Sequence, residues 1–543
     1  MKRNSIKTYL LVSLSVLGLA SCTDLEIEET DSFISEGFQG LVDPNSSLDA
    51  LYGQTYGQLG DQANTFALHE VTSDAFLIPT RGADWGDNGR WRKLHQHEWG
   101  LEETDIITPF QQWTSAQLLA SRILDSRSNA DAATTASAHF LRAYAMWLTL
   151  DFYGQVPFRD TALPDSELPT VLTGGDAVTF ILADLDAAIA GTPSFAPGDV
   201  DNLRLASKSA ARFLKARVLL NKHIYENQLS GGGGSASSAD MAEVISLVDA
   251  IAAEGFALET MDYFEIFRST PDTETIWWAQ AGVGNRIFNG LHYNSTGLGG
   301  GGWNGFSTLA EYYDMFEGDA NANEYDTDRN PISGQERRRG GVPKNGIPFT
   351  GVDGTSDEGG FENGSNVGEG FLLGQQYALD GTPLTDRQGT PLEFSREFVD
   401  GNGAVSLINN SERTGIRVMK YNPRFDGGFQ NNQVIFRYAD AHLMKAEAMM
   451  RSGGDPTAMV NELRTLRGAT PLGSVSEADL LEERGRELYA EQTRRFDMIR
   501  FGQYLRDWEL KGTGQAGNTT RLLFPIPLPQ LLANPNLVQN AGY

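Results

Sequence analysis

The stretch TTASAHFLRAYAMWLTLDFYGQVP, residues 134–157, decides how this chain of 543 residues is to be read. Phe140, Tyr144, Trp147 and Leu148 recur at steps of three and four, which sets them along one face of a helix. Tyr153-Gly154-Gln155-Val156-Pro157 then stops it, because glycine turns the backbone freely and proline cannot continue a helical ladder. The spacing predicts a helix over 134–152 with its apolar face covered. Just before it, Thr104 to Leu124 carries Ile106, Ile107, Phe110, Trp113, Leu118, Leu119 and Ile123 at mostly helical intervals. Two such segments in succession read as an antiparallel helix pair.

The same device recurs. Asp176 to Ala190 puts Val178, Ile181, Leu182, Leu185 and Ile189 on one face, with Asp176 where a cap belongs. Leu205 to Tyr225 has alanines that allow close packing, and Met241 to Ala253 is a further amphipathic run beyond a Gly231–Ser235 bridge. A weaker helical pattern spans Ser46 to Leu59, diluted by Gly53 and Gly57. Helix pairs spaced roughly 30 to 40 residues apart suggest a degenerate tetratricopeptide-like stack. From Gly282 to Asp400 the chain is rich in Gly, Asn, Asp and Thr, with one helix expected at Phe306–Phe316, and it reads as a loop-rich lobe packed on the helices. Helical pattern returns at Val434 and continues through Tyr438–Arg451, Asp455–Leu466 and a long charged run, Ser476–Leu505. In that run, arginines and glutamates tie neighbouring helices together. The tail, with Pro525, Pro527 and Pro529, is expected to run extended. The fold class is therefore mainly α.

The first 21 residues have a basic start (Lys2, Arg3, Lys7) and an apolar run from Leu10 to Leu19, too short to span a bilayer, and so form an export signal. Leu19-Ala20-Ser21 precedes Cys22, the single cysteine of the chain. This resembles the bacterial lipoprotein processing box, in which the cysteine is lipidated and becomes the mature N-terminus. Thr23 follows it, so there is no aspartate to signal inner-membrane retention. Loss of the three leader basic residues takes the formal charge from −28 to −31. Such an acidic body argues against nucleic acid and against lying on an anionic membrane. Membrane attachment is expected through the lipid alone. The resulting division is leader 1–21, tether 22–45, helical scaffold 46–281, loop-rich lobe 282–433 and C-terminal helical region 434–543.

Several ordered sequence matches now combine. Phe140-Leu141-Arg142-Ala143-Tyr144 runs into Asp151-Phe152-Tyr153-Gly154; later come Gly415-Ile416-Arg417-Val418-Met419-Lys420-Tyr421, Arg437-Tyr438-Ala439-Asp440, Glu483-Arg484-Gly485-Arg486-Glu487-Leu488 and Arg494-Arg495-Phe496-Asp497. The chain ends with Pro525-Ile526-Pro527, Asn534-Pro535 and Gln539-Asn540-Ala541-Gly542-Tyr543. In this order they resemble the SusD/RagB-type outer-membrane lipoproteins of Bacteroidetes nutrient-uptake systems. The resemblance implies a frame of tetratricopeptide-like units with an irregular lobe carrying the ligand face. It also implies a lid on a TonB-dependent, SusC-like transporter, a surface-exposed place at the outer membrane, and oligosaccharide or polysaccharide delivered without cleavage. A peptide-binding or purely structural lid subunit is the alternative.

The residues favour one loop, IPTRGADWGDNGRWRKLHQHEW, residues 78–99. It shows neither alternation nor a helical stripe, and its tryptophans are either packing anchors or rings for a sugar face. Trp85 and Trp91 are the stacking candidates, with Arg81, Asp84 and Asp87 as hydroxyl partners, since Arg offers a rigid fork of donors. His95 and His97 alternate as on a strand; without further ligands a hydrogen-bonding role under the loop is preferred to zinc. A second patch joins Tyr293 to Trp303 and Asn304. Trp277 and Trp278 should point to opposite sides, one buried and one exposed, and Trp113 and Trp147 should be core. Asp319, Asn321, Asn323, Tyr325 and Asp328 are spaced like the first turns of a calcium loop. The pattern breaks at Glu324 and Asn330, leaving either a non-standard calcium site or a polar loop. No other cofactor is implied. No nucleophile elbow, zinc-protease or phosphate-loop motif occurs, and no carboxylate pair is marked out for glycoside hydrolysis.

Overall fold

Asp131 and Gly154 bracket the helix that the opening stretch predicts. The Asp131 carboxylate accepts from the Thr134 N–H at 2.8 Å, and Gly154, at φ +71°, donates its N–H to the Leu150 carbonyl. A side chain at Gly154 would be strained in that conformation and would also meet Leu229 at 2.9 Å. The computed structural model describes residues 37–164, 166–231, 233–261, 263–267, 271–295, 302–316, 337, 370–376, 383–421 and 432–543. The leader, Cys22 and the calcium-loop candidates Asp319, Asn321, Asn323, Tyr325 and Asp328 lie outside the described residues.

The α-helices of six residues or more begin, in chain order, with α1 (Pro44–Gly60), α2 (Arg90–Gln96), α3 (Thr104–Leu124), α4 (Ala132–Tyr153), α5 (Gly174–Gly191), α6 (Lys208–Tyr225) and α7 (Ser238–Ala253). From α3 to α7 each packs on the next, as the repeated helix pairs predicted. Ser207 and Ser237 cap α6 and α7 through their hydroxyls. At α5 the cap position is Thr173, so Asp176 stands inside the first turn, where its charge still faces the positive end of the helix dipole. The C-terminal region adds α8 (Tyr438–Arg451), α9 (Thr457–Leu466), α10 (Glu477–Leu488), α11 (Arg494–Arg500) and α12 (Leu528–Ala533). α8 packs on α7 and α6 and closes the stack. Trp113 and Trp147 are buried on the faces expected of them.

Five expectations fail for physical reasons. Val434 begins no helix: its run Val-Ile-Phe, well suited to a strand, lies in β2 (Asn432–Arg437), paired antiparallel with β1 (Thr275–Gln280). That ribbon is covered on both sides, so Trp277 and Trp278 are both buried, their indole N–H groups donating to the Arg204 and Val200 carbonyls at 3.1 Å each. The run Ser476–Leu505 is broken between α10 and α11 by Ala490 and Gln492, at φ +61° and +63°. The break turns Arg494 onto Asp74, at 2.7 and 2.8 Å, and the Thr493 N–H onto Glu70. The tail is not wholly extended, because prolines are tolerated in the first turn of α12. The helix expected over Phe306–Phe316 is confined to Ala310–Asp314, since Ser307 and Thr308 before it form single extended bridges to Leu77 and Ile416.

The charged C-terminal residues tie the frame together. Glu487 receives Arg337 at 2.8 Å, Arg437 at 2.7 Å and Arg467 at 3.1 Å, all four side chains being fully buried. Arg437 reaches on to Glu274 at 2.8 Å, which fixes β1 and β2 against α10. Such a buried network specifies one arrangement, because leaving any one charge unpartnered costs about 3–5 kcal/mol.

Candidate ligand-binding face

Residues 77–84 are stitched into the irregular lobe by backbone pairing. Leu77 exchanges hydrogen bonds with Ser307, and Thr80 bonds to Leu407 and Asn410. Arg81 and Asp84 close a tight turn on each other, with Gly82 at φ +62° supplying the left-handed residue. The Arg81 guanidinium then points inward. It donates to the Asn304 carbonyl (2.9 Å), the Asn410 side chain (2.9 Å), Ser307 Oγ (3.1 Å) and both oxygens of Thr414 (2.8 and 3.0 Å). Arg417 lies in the same cage, bonded to Ser307, Asn304 and the Thr414 and Glu412 carbonyls. Burial pushes the Arg81 pKa down to about 9, so it stays protonated at neutral pH and holds the lobe by charge-assisted bonds.

On this cage the two candidate patches become one. The Trp85 indole N–H donates to the Trp303 carbonyl at 2.6 Å, and its ring stands edge-on to Trp91 and Phe306, each at 5.7 Å between centroids. Gly305 lies directly beneath: a β-carbon there would fall 2.2 Å from the Trp85 ring. The Tyr293 hydroxyl donates to Asp84 Oδ2 at 2.6 Å, and Arg387 donates to the same oxygen at 2.9 Å while its guanidinium stacks 3.9 Å above the Tyr293 ring. Arg387 also grips Glu412, whose other oxygen lies 3.1 Å from His292 Nε2. The Tyr293 hydroxyl, together with Arg387, holds the Asp84 carboxyl below its usual range, and burial pushes His292 down to about 4, leaving it neutral. Beside this cluster the Trp303 side chain is 51% exposed, and Asp87 is exposed as well.

The surface therefore offers an indole next to ionised donors and acceptors on Arg387 and Asp84. Three candidates are repositioned. Arg81, Trp91 and Asn304 are buried at 2%, 3% and 0% exposure, so they offer nothing to a ligand and instead support the face. The Trp91 N–H is spent on Asp87 at 2.8 Å, and Asn304 bridges Arg417 and the Glu412 carbonyl. Residues 78–99 are also not one loop. Trp91, Leu94 and His95 make the buried stripe of α2, and His97 is its left-handed cap at φ +58°. The two histidines are thus not on one face of a strand. Both are buried beneath the loop, His95 between the Phe76 and Glu509 carbonyls and His97 on the Thr72 carbonyl. Among the described residues no group of three or more His, Cys, Asp or Glu is placed to hold a metal. Sequence reasoning missed Arg387 and Glu412. Asp386-Arg387-Gln388-Gly389 is legible as a turn, but nothing local says that the turn meets Asp84.

A family model described as the SusD family matches residues 273–543. The starch-binding protein SusD of Bacteroides thetaiotaomicron is 26% identical to this chain over 98% of each sequence. This chain belongs to the SusD family. Surface glycan-binding protein A of Bacteroides uniformis has the same fold, with a TM-score of 0.64 at 18% identity over 92% of this chain and 99% of that one. The SusD fold is also that of surface glycan-binding protein A of Bacteroides thetaiotaomicron solved with laminarihexaose, with a TM-score of 0.60 at 16% identity over 92% and 98% of the two chains. The mainly helical architecture read from residues 134–157 is thus the family's, and the matched C-terminal half includes the Glu487 network.

Proposed function

We propose that this chain is a cell-surface lipoprotein that captures oligosaccharide or polysaccharide and passes it, uncut, to a TonB-dependent SusC-like transporter in the outer membrane. The observation that carries this is the exposed Trp303 indole beside the Asp84–Tyr293–Arg387 cluster, with Trp85 holding the Trp303 backbone. An aromatic face takes the apolar side of a pyranose, while paired donors and acceptors take its hydroxyls. The binding residues in this reading are Trp303, Trp85, Tyr293, Asp84, Asp87 and Arg387. Supporting it, the relatives named above include a starch-binding protein and one solved with laminarihexaose. Among the described residues no helix is long and apolar enough to cross a membrane.

The test is calorimetry and affinity electrophoresis of the purified chain with laminarin, xyloglucan, starch, mannan and alginate, with an assay for new reducing ends. Saturable binding to at least one glycan with no cleavage is expected. Binding to none of them, with saturable binding of peptides instead, overturns the reading. Exchange of Cys22 for serine should release the chain from the membrane fraction, and a tagged chain should co-purify with a TonB-dependent barrel.

A further inference from the structure

A cavity of about 300 Å³ lies in the helical frame, built from none of the residues of the glycan face. Its walls come from the end of α6 (His223, Ile224), from Gly233 and Gly234, from Arg451 at the end of α8, and from Ile499, Leu505 and Leu522. Gly233 and Gly234, from the glycine-rich stretch between α6 and α7, thus form one rim. There Gly234 donates its N–H to the His223 carbonyl at 3.1 Å, and a β-carbon at Gly234 would fall 2.6 Å from the Asn227 amide.

Two polar groups at this cavity are unused. The His223 side chain is 7% exposed and its Nδ1 is buried without a hydrogen-bond partner. Arg451 gives Nε to Glu447 at 2.7 Å and Nη2 to the Arg500 carbonyl at 3.5 Å, which leaves Nη1 without a bond among the described residues. The charges behind it do not balance. A continuous chain of ion pairs runs Arg217–Asp440–Arg484–Asp497–Arg500–Glu447–Arg451, four guanidiniums against three carboxylates. The remaining cavity carboxylate, Asp151, is already matched by Arg495 at 2.7 Å. One positive charge is therefore in excess, and the chain ends at the cavity wall. Four aliphatic side chains, Ile224, Ile499, Leu505 and Leu522, line the same cavity. The volume is at the small end of the roughly 300–1,000 Å³ usual for ligand pockets, enough for a single ring and too little for an oligomer.

We propose that this cavity binds a small single-ring carboxylate, its carboxylate on Arg451 and His223 and its ring against Ile224, Ile499, Leu505 and Leu522. The ring can be a sugar acid or an aromatic acid, since both present one carboxylate on a single six-membered ring. Titration calorimetry of the full chain with D-glucuronate and benzoate, and with the neutral counterparts D-glucose and benzyl alcohol, separates the two sources. At least one carboxylate should bind one-to-one, with its neutral counterpart weaker by about tenfold or more, the scale of a charge-assisted pair. Arg451→Met should lower the affinity by a similar factor of about ten. It leaves Glu447 held by both arms of Arg500 and so should still fold. Ile224→Trp, which fills the cavity and keeps the guanidinium, should abolish binding. Trp303→Ala should leave it unchanged, which distinguishes this site from the glycan face. The proposal is overturned if neither carboxylate binds saturably, if neutral and charged partners bind alike, or if binding survives Ile224→Trp or is lost in Trp303→Ala.

Discussion

Gly305→Ala tests the ligand face with a single methyl group. The backbone at Gly305 is not in the left-handed region, so alanine is locally acceptable and its whole effect comes from what the methyl meets. It meets the Trp85 ring, with Cε2 at 2.2 Å and Cζ2 at 2.4 Å, where ordinary carbon contacts lie about 3.5–4.0 Å apart. The ring must move by more than 1 Å (roughly the shortfall in those contacts). It then loses its edge contacts to Trp91 and Phe306, worth about 0.5–1.5 kcal/mol each, and its bond to the Trp303 carbonyl, about 1 kcal/mol net. The sum is roughly 2–4 kcal/mol of local order. Because Trp85 itself sits at φ +58°, its backbone has a lower-energy conformation to relax into once the ring is dislodged. Trp303 then loses its tether, and glycan affinity should fall by about tenfold or more. Calorimetry against a glycan identified in the binding panel, alongside urea denaturation followed by tryptophan fluorescence, reads both quantities. An affinity and a urea midpoint both equal to the wild type would refute the reasoning, since the methyl would then have been absorbed without moving the ring.

Trp303→Ala should cost about tenfold in glycan affinity with no change in urea midpoint, because a side chain already half in water contributes little to the core; a lowered midpoint would mean that the indole is a packing plug. Arg81→Met should destabilise the lobe by several kcal/mol, at about 1–3 kcal/mol for each buried acceptor left unpaired, and abolish glycan binding indirectly; retention of wild-type urea stability would contradict the cage. Burial pushes Glu70 up to about 7 from its ordinary 4.5, even though it accepts the Thr493 N–H at 2.9 Å. Between those two values the folded chain holds a proton that the unfolded chain releases, so wild-type stability declines as pH rises through this window. Glu70→Gln should therefore gain on the wild type between pH 4.5 and 8, by up to about 3 kcal/mol in urea titrations, and a pH-independent difference would refute it.

The helical frame was legible because its signal is local. Phe140, Tyr144 and Trp147 announce their helix within two turns, and the observed span, Ala132–Tyr153, departs from the expected one by a residue or two at each end. The errors fall where tertiary contacts outweigh the local pattern. Charged residues from Ser476 onward read as one helix, yet Thr493 and Arg494 are bent away to satisfy Glu70 and Asp74, partners more than four hundred positions earlier. Trp91, Leu94 and His95 do carry a helical spacing, but the glycines before them and the histidine after them hid a helix of seven residues. The proposed ligand face was legible only as two pieces. Trp85 and Trp303 are 218 positions apart, and Asp84 and Tyr293 are 209 apart, so no window of sequence contains either pair.

What joins those pieces bears on how the face works. Arg81 and Arg417 are buried side by side with no carboxylate bonded to either among the described residues, and they share Ser307, Thr414 and Asn304 as partners. Two like charges in one cage repel, so their retention must be outweighed by the carbonyl and side-chain bonds that converge on them. Those acceptors come from residues 304–307 and 410–415, and Arg81 itself from the turn that carries Asp84 and Trp85. Opening any one of these segments would leave a guanidinium buried with half its bonds. The face is therefore held rigid from beneath before a ligand arrives, and little ordering cost remains at binding. On the proposed function, exchanging the exposed Trp303 or Arg387 should change the glycan that is bound, while Arg81, Asn304 and Arg417 keep the platform in place.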